Sequence, residues 1–206
     1  MIISHKYKFI YLRSQKTAST SIEVFLSAYC DDTDVVTIMT EETPEWHKGN
    51  CKLNGHVSAY DVREHIGDEI FNDYYKFTSI RNPLDKMLSA YFWWLKNPHL
   101  APPNCRPSGL SFSEWIMKYD FNHTMAIFHH PYYKINGDII ADDYIRYETL
   151  ENDLWRICGV LGIEYSSDYL LHYKKMDRED VEITTEARDK IRVQFKHELI
   201  DLKYEI

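Results

Sequence analysis

The stretch KFIYLRSQKTASTS, residues 8–21, decides the fold of this chain. Its first five residues, KFIYL, are mostly apolar and rich in β-forming side chains, which predicts a buried strand. A polar loop follows at residues 13–21. The apolar residues after it recur with the spacing of one helix face: Ile22, Phe25, Leu26 and Tyr29. The stretch therefore predicts a strand, a polar loop and a helix, in that order.

The same pattern recurs near the middle of the chain. Residues 75–80, YKFTSI, predict a second strand, and RNP follows it directly. Asn82 is a good N-cap, and Pro83 suits the first position of a helix because its fixed backbone angle is already helical. The sequence therefore predicts a second helix that begins at Pro83.

Three further elements lie in the last third of the chain. A strand over residues 143–147 precedes a helix over residues 150–161, and Gly162 suits the position after that helix. A last helix is predicted to open at Thr184 or Thr185. Strands that alternate with helices predict an α/β fold: one domain over residues 1–206, with a mostly parallel central sheet flanked by helices.

The overall charge excludes some classes of partner. The formal net charge of −8 disfavours nucleic acids and anionic membranes as general ligands, although a few local cations can still hold a small anion. No stretch approaches the length of an apolar membrane span, and the first residues lack the apolar run of a signal peptide. The four cysteines show neither a paired motif nor zinc-like spacing. We therefore expect a cytoplasmic protein without a metal site.

The first polar loop has the chemistry of an anion site. It offers Lys16, five hydroxyl side chains and the backbone N–H groups of a helix start, where the helix dipole is positive. It is not a Walker A loop, because that motif requires glycines and this segment has none. The alternative is a hydroxyl-rich helix cap beside a solvated lysine.

The second polar segment offers a cation and a hydroxyl. Arg81 lies at the end of the predicted strand and can pair with a phosphate through two parallel hydrogen bonds, and Ser89 lies two turns into the next helix. The alternative is an Arg81–Asp85 ion pair and a serine that faces solvent. Because ligands bind at the carboxyl ends of parallel strands, both polar segments are candidates for one site.

Taken together, these motifs resemble those of the sulfotransferases that use 3′-phosphoadenosine-5′-phosphosulfate (PAPS). IYLRSQKTASTS is similar to their 5′-phosphosulfate loop, and FTSIRNPLDKMLSAY is similar to their 3′-phosphate motif. DDYIRYETLENDLWRICGVLGI resembles a later family segment that ends in LGI. The resemblance implies the sulfotransferase fold, with a P-loop-like strand-loop-helix unit, and transfer of a sulfuryl group to an acceptor hydroxyl.

RSQKTASTS followed by GHVSAYDV resembles most the branch that sulfates heparan and uronyl sugars at the 2-O position. That likeness implies a nucleotide site made of these residues: Arg13, Lys16, Thr17, Ala18, Ser19, Thr20 and Ser21 around the phosphosulfate, and Arg81 and Ser89 at the 3′-phosphate. It implies that His56 is the catalytic base and that Lys16 and Arg13 stabilise the leaving group, with no metal. Gln15 replaces the usual proline, and Asn54 stands where that branch often has another histidine.

Other residues compete for these roles. His129 and His130 are rival bases, since a histidine with a pKa near 6.5 can accept a proton at neutral pH. Lys174 and Lys175 lie in a late polar stretch that could approach the 3′-phosphate, although their pattern favours a solvated charge run.

Two other functions stay open at this point. One is a P-loop-like nucleotide phosphotransferase, which would need the glycine pattern that is missing here. The other is a non-catalytic nucleotide-binding module, which would keep Arg81 and Ser89 but would not need Lys16 together with His56. For the transferase, we expect the acceptor to be a carbohydrate or another small molecule with a hydroxyl group, and the sequence does not indicate the oligomeric state.

Overall fold

The computed structural model describes residues 1–39, 43–51, 55–101, 105–123, 127–173 and 178–206. These residues divide into two compact units. The first unit consists of Met1–Ile80 and His129–Tyr173, and the second consists of Arg81–Phe128 and Lys174–Ile206. A single domain over residues 1–206 stays a prediction.

The first unit is built on a sheet of five strands in the order β3-β1-β2-β4-β7. In the part of this unit that the structure describes, the strands are β1 Ile2–Ser4, β2 Phe9–Leu12, β3 Val35–Val36, β4 Tyr75–Ile80, β5 Lys134–Ile135, β6 Asp138–Ile139 and β7 Asp143–Arg146. Strands β5 and β6 form a separate antiparallel pair. In the large sheet, β4 pairs with both β2 and β7 in parallel.

The prediction of a mostly parallel sheet was wrong, because the sheet is mixed. Strand β1 runs antiparallel to both β2 and β3. Only four residues separate Ser4 from Phe9, and a connection that short can join antiparallel strands but not parallel ones. The sequence prediction missed β1 and β3 because strands of three and two residues are too short to show a periodic pattern.

Helices cover both faces of the large sheet. Strand β2 alternates, so that Phe9 and Tyr11 belong to one hydrophobic cluster while Ile10 and Leu12 belong to the other. The first cluster includes side chains of α1 Ser19–Ser27 and α7 Leu150–Leu161; the second includes side chains of α2 Ala59–Ile66, α3 Asp68–Asp73 and α6 His130–Tyr133. This layering confirms the α/β class.

Three predicted boundaries of this unit agree closely with the structure. Strand β4 has the predicted bounds Tyr75–Ile80, and helix α7 has the predicted bounds Leu150–Leu161. Gly162 follows α7 in the left-handed conformation, with φ of 69°, which a glycine adopts without steric cost.

The second unit is helical in its described part. Its helices are α4 Pro83–Lys96, α5 Phe112–Lys118, α8 Thr185–Gln194 and α9 Lys196–Leu202. They surround one cluster rich in aromatic side chains, among them Trp94, Trp115, Tyr119 and Phe195. Two helix caps follow the sequence prediction: Asn82 accepts a hydrogen bond from the Leu84 N–H, and Thr184 accepts one from the Ala187 N–H.

The last predicted helix is interrupted. Phe195 has φ of −97° and ψ of 14°, outside the helical range, and it separates α8 from α9. Its ring is fully buried in the aromatic cluster. Among the described residues, no helix is both long enough and apolar enough to cross a membrane.

Candidate functional site

The loop between β2 and α1 carries most of the predicted site residues, and its backbone is unusual. Lys16 has φ of 61° and Ala18 has φ of 58°, so two non-glycine residues adopt the left-handed conformation. That conformation costs a non-glycine residue about 1–2 kcal/mol. Strain of this kind persists only where the surrounding structure imposes it, and it is concentrated at functional sites.

Hydrogen bonds to strand β4 hold the middle of this loop. The Thr17 hydroxyl lies 2.7 Å from Ser79 Oγ and donates to the Ser14 carbonyl at 3.1 Å. The Ser14 hydroxyl donates to the Ser79 carbonyl at 2.5 Å, and Tyr11 Oη lies 2.9 Å from Ser79 Oγ. Thr17 is fully buried, so its hydroxyl anchors the loop from inside the unit.

Arg13 holds the start of the helix from inside the unit. Its Nε donates to Ser19 Oγ at 3.3 Å, and its Nη2 donates to Thr20 Oγ1 at 2.8 Å. Its Nη1 donates to Glu23 Oε2 at 3.2 Å. The guanidinium is buried, and all three of its nitrogens hold residues of α1. Arg13 therefore orients the hydroxyls of the loop.

The first turn of α1 presents a set of backbone donors. Its first intrahelical bond runs from the Ile22 N–H to the Ala18 carbonyl, so the N–H groups of Ser19, Thr20 and Ser21 precede the helical ladder. The Ser21 hydroxyl accepts a hydrogen bond from the Tyr173 N–H at 3.0 Å within the same unit. Together with the partly exposed Lys16, these donors form the positive end of a nine-residue helix.

His56 is joined to the same loop through the backbone. Its Nδ1 lies 3.0 Å from the Arg13 carbonyl oxygen, which can only accept, so Nδ1 carries the proton and Nε2 carries the lone pair. Burial, reinforced by the Arg13 charge, lowers the pKa of His56 to about 3. The imidazole is therefore neutral at pH 7.

Gly55 makes this arrangement possible. A Cβ at position 55 would lie 2.9 Å from Arg13 Nη1, which is closer than real Cβ contacts. A larger residue there would displace either the guanidinium or the segment that carries His56.

The second predicted segment, in the helical unit, centres on an ion pair. Arg81 Nε lies 2.5 Å from Asp85 Oδ2, and Arg178 Nη1 lies 2.6 Å from Asp85 Oδ1. Ser89 is partly exposed in α4. The sequence prediction missed Arg178, since nothing in its local sequence distinguishes it from a solvated charge.

The structure gathers the other predicted residues in the first unit. Arg13, the loop from Lys16 to Ser21, and His56 all lie there, whereas Arg81 and Ser89 belong to the second unit. His129 is fully buried, and its Nδ1 lies 3.5 Å from Ser14 Oγ. This environment is that of a residue that packs inside the unit. Asn54, Lys174 and Lys175 lie outside the described residues.

Glu23 is the functional candidate that the sequence prediction missed. It is fully buried in α1 and contacts Arg13, and its carboxylate lies 2.8 Å from the amino group of Met1. Burial raises the pKa of this carboxyl, but the Met1 amino group, His47 and Arg13 together lower it to about 2. A glutamate inside a helix is ordinarily exposed, so no local signal pointed to it.

One comparison with known proteins identifies a family. The sequence model of the family described as "Sulfotransferase family" matches residues 1–205, which span both compact units. No curated protein and no solved structure matches the chain. Within the described ranges, no group of three or more His, Cys, Asp or Glu side chains is placed to hold a metal ion.

Proposed function

The chain belongs to the sulfotransferase family, and from this premise we propose that it moves a sulfuryl group from PAPS to an acceptor hydroxyl. The donor supplies an activated sulfate whose leaving group is the 5′-phosphate of the nucleotide. The acceptor oxygen forms the new S–O bond, the bond to the 5′-phosphate oxygen breaks, and the acceptor proton passes to a base. The protein must therefore stabilise charge on the leaving oxygen and take up one proton.

The conformation of residues 13–18 is the observation that carries this proposal. A loop without glycine adopts left-handed geometry at Lys16 and Ala18 and leads into the N-terminus of α1. Successive N–H groups at a helix start, with a lysine beside them, are the donor set that a phosphate or sulfate group requires. We assign the 5′-phosphosulfate to Lys16 and to the backbone of Thr17, Ala18, Ser19, Thr20 and Ser21.

Lys16 has the main electrostatic role in this proposal. Negative charge grows on the bridging oxygen as the sulfuryl group leaves, and an ammonium group beside that oxygen stabilises the transition state more than the ground state. Arg13 contributes to this stabilisation indirectly, by fixing the Ser19 and Thr20 side chains at the start of α1. The 3′-phosphate is assigned to Arg81 and Ser89 by their motif, and the ion pair with Asp85 orients the Arg81 side chain.

We assign the base to His56. Its Nδ1–H donates to the Arg13 carbonyl, so the lone pair is on Nε2, the atom that would accept the acceptor proton. A pKa of about 3 makes the imidazole a weak base in the protein alone. A bound anionic donor would raise that pKa, because negative charge favours the protonated ring.

The acceptor is proposed as a sugar or another small hydroxyl compound. The likeness to the 2-O-sulfotransferase branch favours a sugar hydroxyl, and the net charge of −8 disfavours a long polyanion. A cytoplasmic setting remains an expectation from the sequence.

The test is transfer from ³⁵S-labelled PAPS to a panel of sugars, phenols and other hydroxyl compounds, with release of 3′-phosphoadenosine-5′-phosphate (PAP) measured in parallel. We expect at least one acceptor to become labelled. His56→Ala should retain PAP binding and lose transfer by about 100-fold or more, the usual contribution of general base catalysis. If PAP binds but no acceptor is labelled, the protein is a nucleotide-binding module and not a transferase. Unchanged turnover in His56→Ala would assign the base elsewhere.

A further inference from the structure

A buried carboxylate lies directly behind the proposed phosphosulfate loop. Glu23 occupies the second turn of α1 and has no solvent exposure. Its Oε2 accepts from Arg13 Nη1 at 3.2 Å and from the Met1 amino group at 2.8 Å. Its Oε1 accepts from the Thr37 hydroxyl at 2.5 Å, and His47 Nε2 lies 3.9 Å from it. The carboxylate is therefore held on several sides and has little freedom to move.

Arg13 connects this carboxylate to both parts of the proposed chemistry. Its side chain donates to Ser19 and Thr20, at the helix start where the anion is assigned. Its backbone carbonyl accepts from His56 Nδ1–H and so sets which ring nitrogen carries the lone pair. One arginine thus links the loop and the base, and Glu23 is the only carboxylate that contacts that arginine among the residues the structure describes.

We propose that Glu23 is a positioning residue for sulfuryl transfer, which fixes Arg13 and through it both the start of α1 and the tautomer of His56. This inference rests on the proposed function, because it assigns Glu23 a part in that same site. Glu23 itself does not touch the reacting atoms. It keeps the guanidinium against α1, and that position keeps the Arg13 carbonyl in place for His56.

The charges around His56 support this assignment. Beyond the effect of burial, the positive Arg13 guanidinium lowers the pKa of His56 and the negative Glu23 carboxylate raises it. Removal of the Glu23 charge leaves the buried Arg13 guanidinium without its carboxylate partner. A buried arginine without a partner is strongly unfavourable, so Arg13 would shift toward water or another acceptor.

The experiment compares Glu23→Gln with a matched control, Asp34→Asn. Asp34 is also a buried carboxylate of the first unit, but its contacts are to Ser4, His5, Lys6 and Asp31 rather than to Arg13 or His56. Both variants lose one buried negative charge and keep nearly the same shape. Long-range ¹H–¹⁵N spectra of the histidine rings report the tautomer of His56, and His56→Gln assigns the signal.

We expect wild type and Asp34→Asn to show His56 with the proton on Nδ1, and Glu23→Gln to show a mixture of the two tautomers. Glu23→Gln should also weaken PAP binding by about tenfold, the usual effect of losing a hydrogen bond to a charged group. In an Arg13→Met background the same change should weaken binding by less than about twofold, because Glu23 acts through Arg13. Glu23→Asp, which keeps the charge but shortens the reach, serves if Glu23→Gln does not fold, and it should shift the tautomer in the same direction.

Two results would overturn the inference. One is a folded Glu23→Gln protein, or a folded Glu23→Asp protein where the glutamine variant fails, in which the His56 tautomer is unchanged. The other is a loss of PAP affinity that is the same with and without Arg13, which would indicate a general structural role. If wild type itself does not bind PAP, the proposed function fails, whereas the tautomer spectra still test the link from Glu23 through Arg13 to His56.

Discussion

Residues 13–21 and residues 81–89 both follow a strand and both open a helix, but they hold their helix starts by different means. In the first segment, Ala18 precedes α1 with a left-handed backbone and no side-chain cap, and buried contacts from Arg13 support the turn. In the second, Asn82 caps α4 with its own side chain, and Pro83 occupies the first turn.

This difference supports the proposal that the first segment holds the reacting end of the ligand. A helix start that uses a local cap is stable by itself and keeps few donors for other groups. A helix start without a local cap, held instead by buried side-chain contacts, keeps its first N–H groups for a ligand. Residues 13–21 have the second arrangement, which is why we assign the reacting end of the nucleotide to them.

We expect the largest effect on kcat at Lys16, and Lys8 of the same unit serves as its control. Lys16 and Lys8 both have left-handed backbones, with φ of 61° and 53°, but Lys8 pairs with Asp73 in an exposed turn. Lys16→Ala should lower kcat by about 100- to 1,000-fold, as loss of a transition-state charge contact does. Lys8→Ala should leave kcat within about twofold of wild type, since an exposed ion pair contributes little. The check is steady-state transfer with the best acceptor; equal losses in both variants would mean that the backbone, and not the ammonium of Lys16, is what matters.

The two arginines should differ in their contribution to stability. Arg13→Met leaves the fully buried Glu23 without its guanidinium partner and should lower the free energy of unfolding by about 3 kcal/mol. Arg81→Met removes a pair with the partly exposed Asp85 and should cost about 1 kcal/mol or less. Urea unfolding of both variants measures the difference. Equal losses of unfolding free energy in the two variants would show that the buried Arg13 contacts do not support the first segment in the way we describe.

Titration of His56 should make the free energy of unfolding depend on pH. Burial, followed by the Arg13 charge, lowers its pKa from 6.5 to about 3, so between these values the unfolded chain binds a proton that the folded protein does not. Stability is therefore lost as the pH falls from 6.5 toward 3, by up to about 1.4 kcal/mol per pH unit. His56→Gln should flatten this slope when urea unfolding is compared at pH 7 and pH 5. The same slope in both proteins would contradict the burial of the imidazole.

Lys86, in the second segment, should make the free energy of unfolding depend on pH in a higher range. Burial lowers its pKa from 10.5 to about 7, with Glu198 opposing the shift and Arg81 adding to it. Here the unfolded chain binds the extra proton between pH 7 and 10.5, so stability rises with pH in that range. Lys86→Met should remove the rise above pH 7 and leave the slope below pH 6.5 unchanged. A changed slope below pH 6.5 would mean that the two segments do not titrate independently.

The smallest expected effect concerns glycine at one position in the first segment and at one position in helix α4. Ala18→Gly relieves a left-handed backbone and should raise the free energy of unfolding by up to about 1 kcal/mol. Ala90→Gly, inside α4, should lower it by about 1 kcal/mol, because glycine is unfavourable in a helix interior. Thermal unfolding of both variants checks the opposite signs, and destabilisation by Ala18→Gly would show that the turn is not strained.

The parts of the fold that follow local rules could be predicted from the sequence. The bounds of β4 and α7, the Asn82 cap and the Gly162 turn all depend on neighbouring residues, and all four agree with the structure. The short strands β1 and β3 could not be predicted, because their pairing depends on contacts with β2 and not on their own pattern. The break at Phe195 likewise coincides with the burial of one ring in the aromatic cluster.

The candidate site, like the fold, could be predicted from the sequence only in part. The residue types of the first loop indicated an anion site, but the direction of each side chain depends on tertiary contacts. Thr17 and Arg13 face inward, and the glutamate that holds Arg13 lies ten residues further along the chain, in a position where glutamates are usually exposed. These contacts become visible only once β2, β4 and α1 are placed together.

Calorimetric titration with PAP tests the central claim most directly, because it needs no acceptor. For the wild-type protein we predict binding with a dissociation constant on the order of micromolar, weakened about tenfold or more by Lys16→Ala and by Arg81→Ala. Lys8→Ala should bind as tightly as wild type. No detectable binding to the folded wild-type protein, or equal binding by wild type and Lys16→Ala, would contradict the assignment of the nucleotide to residues 13–21.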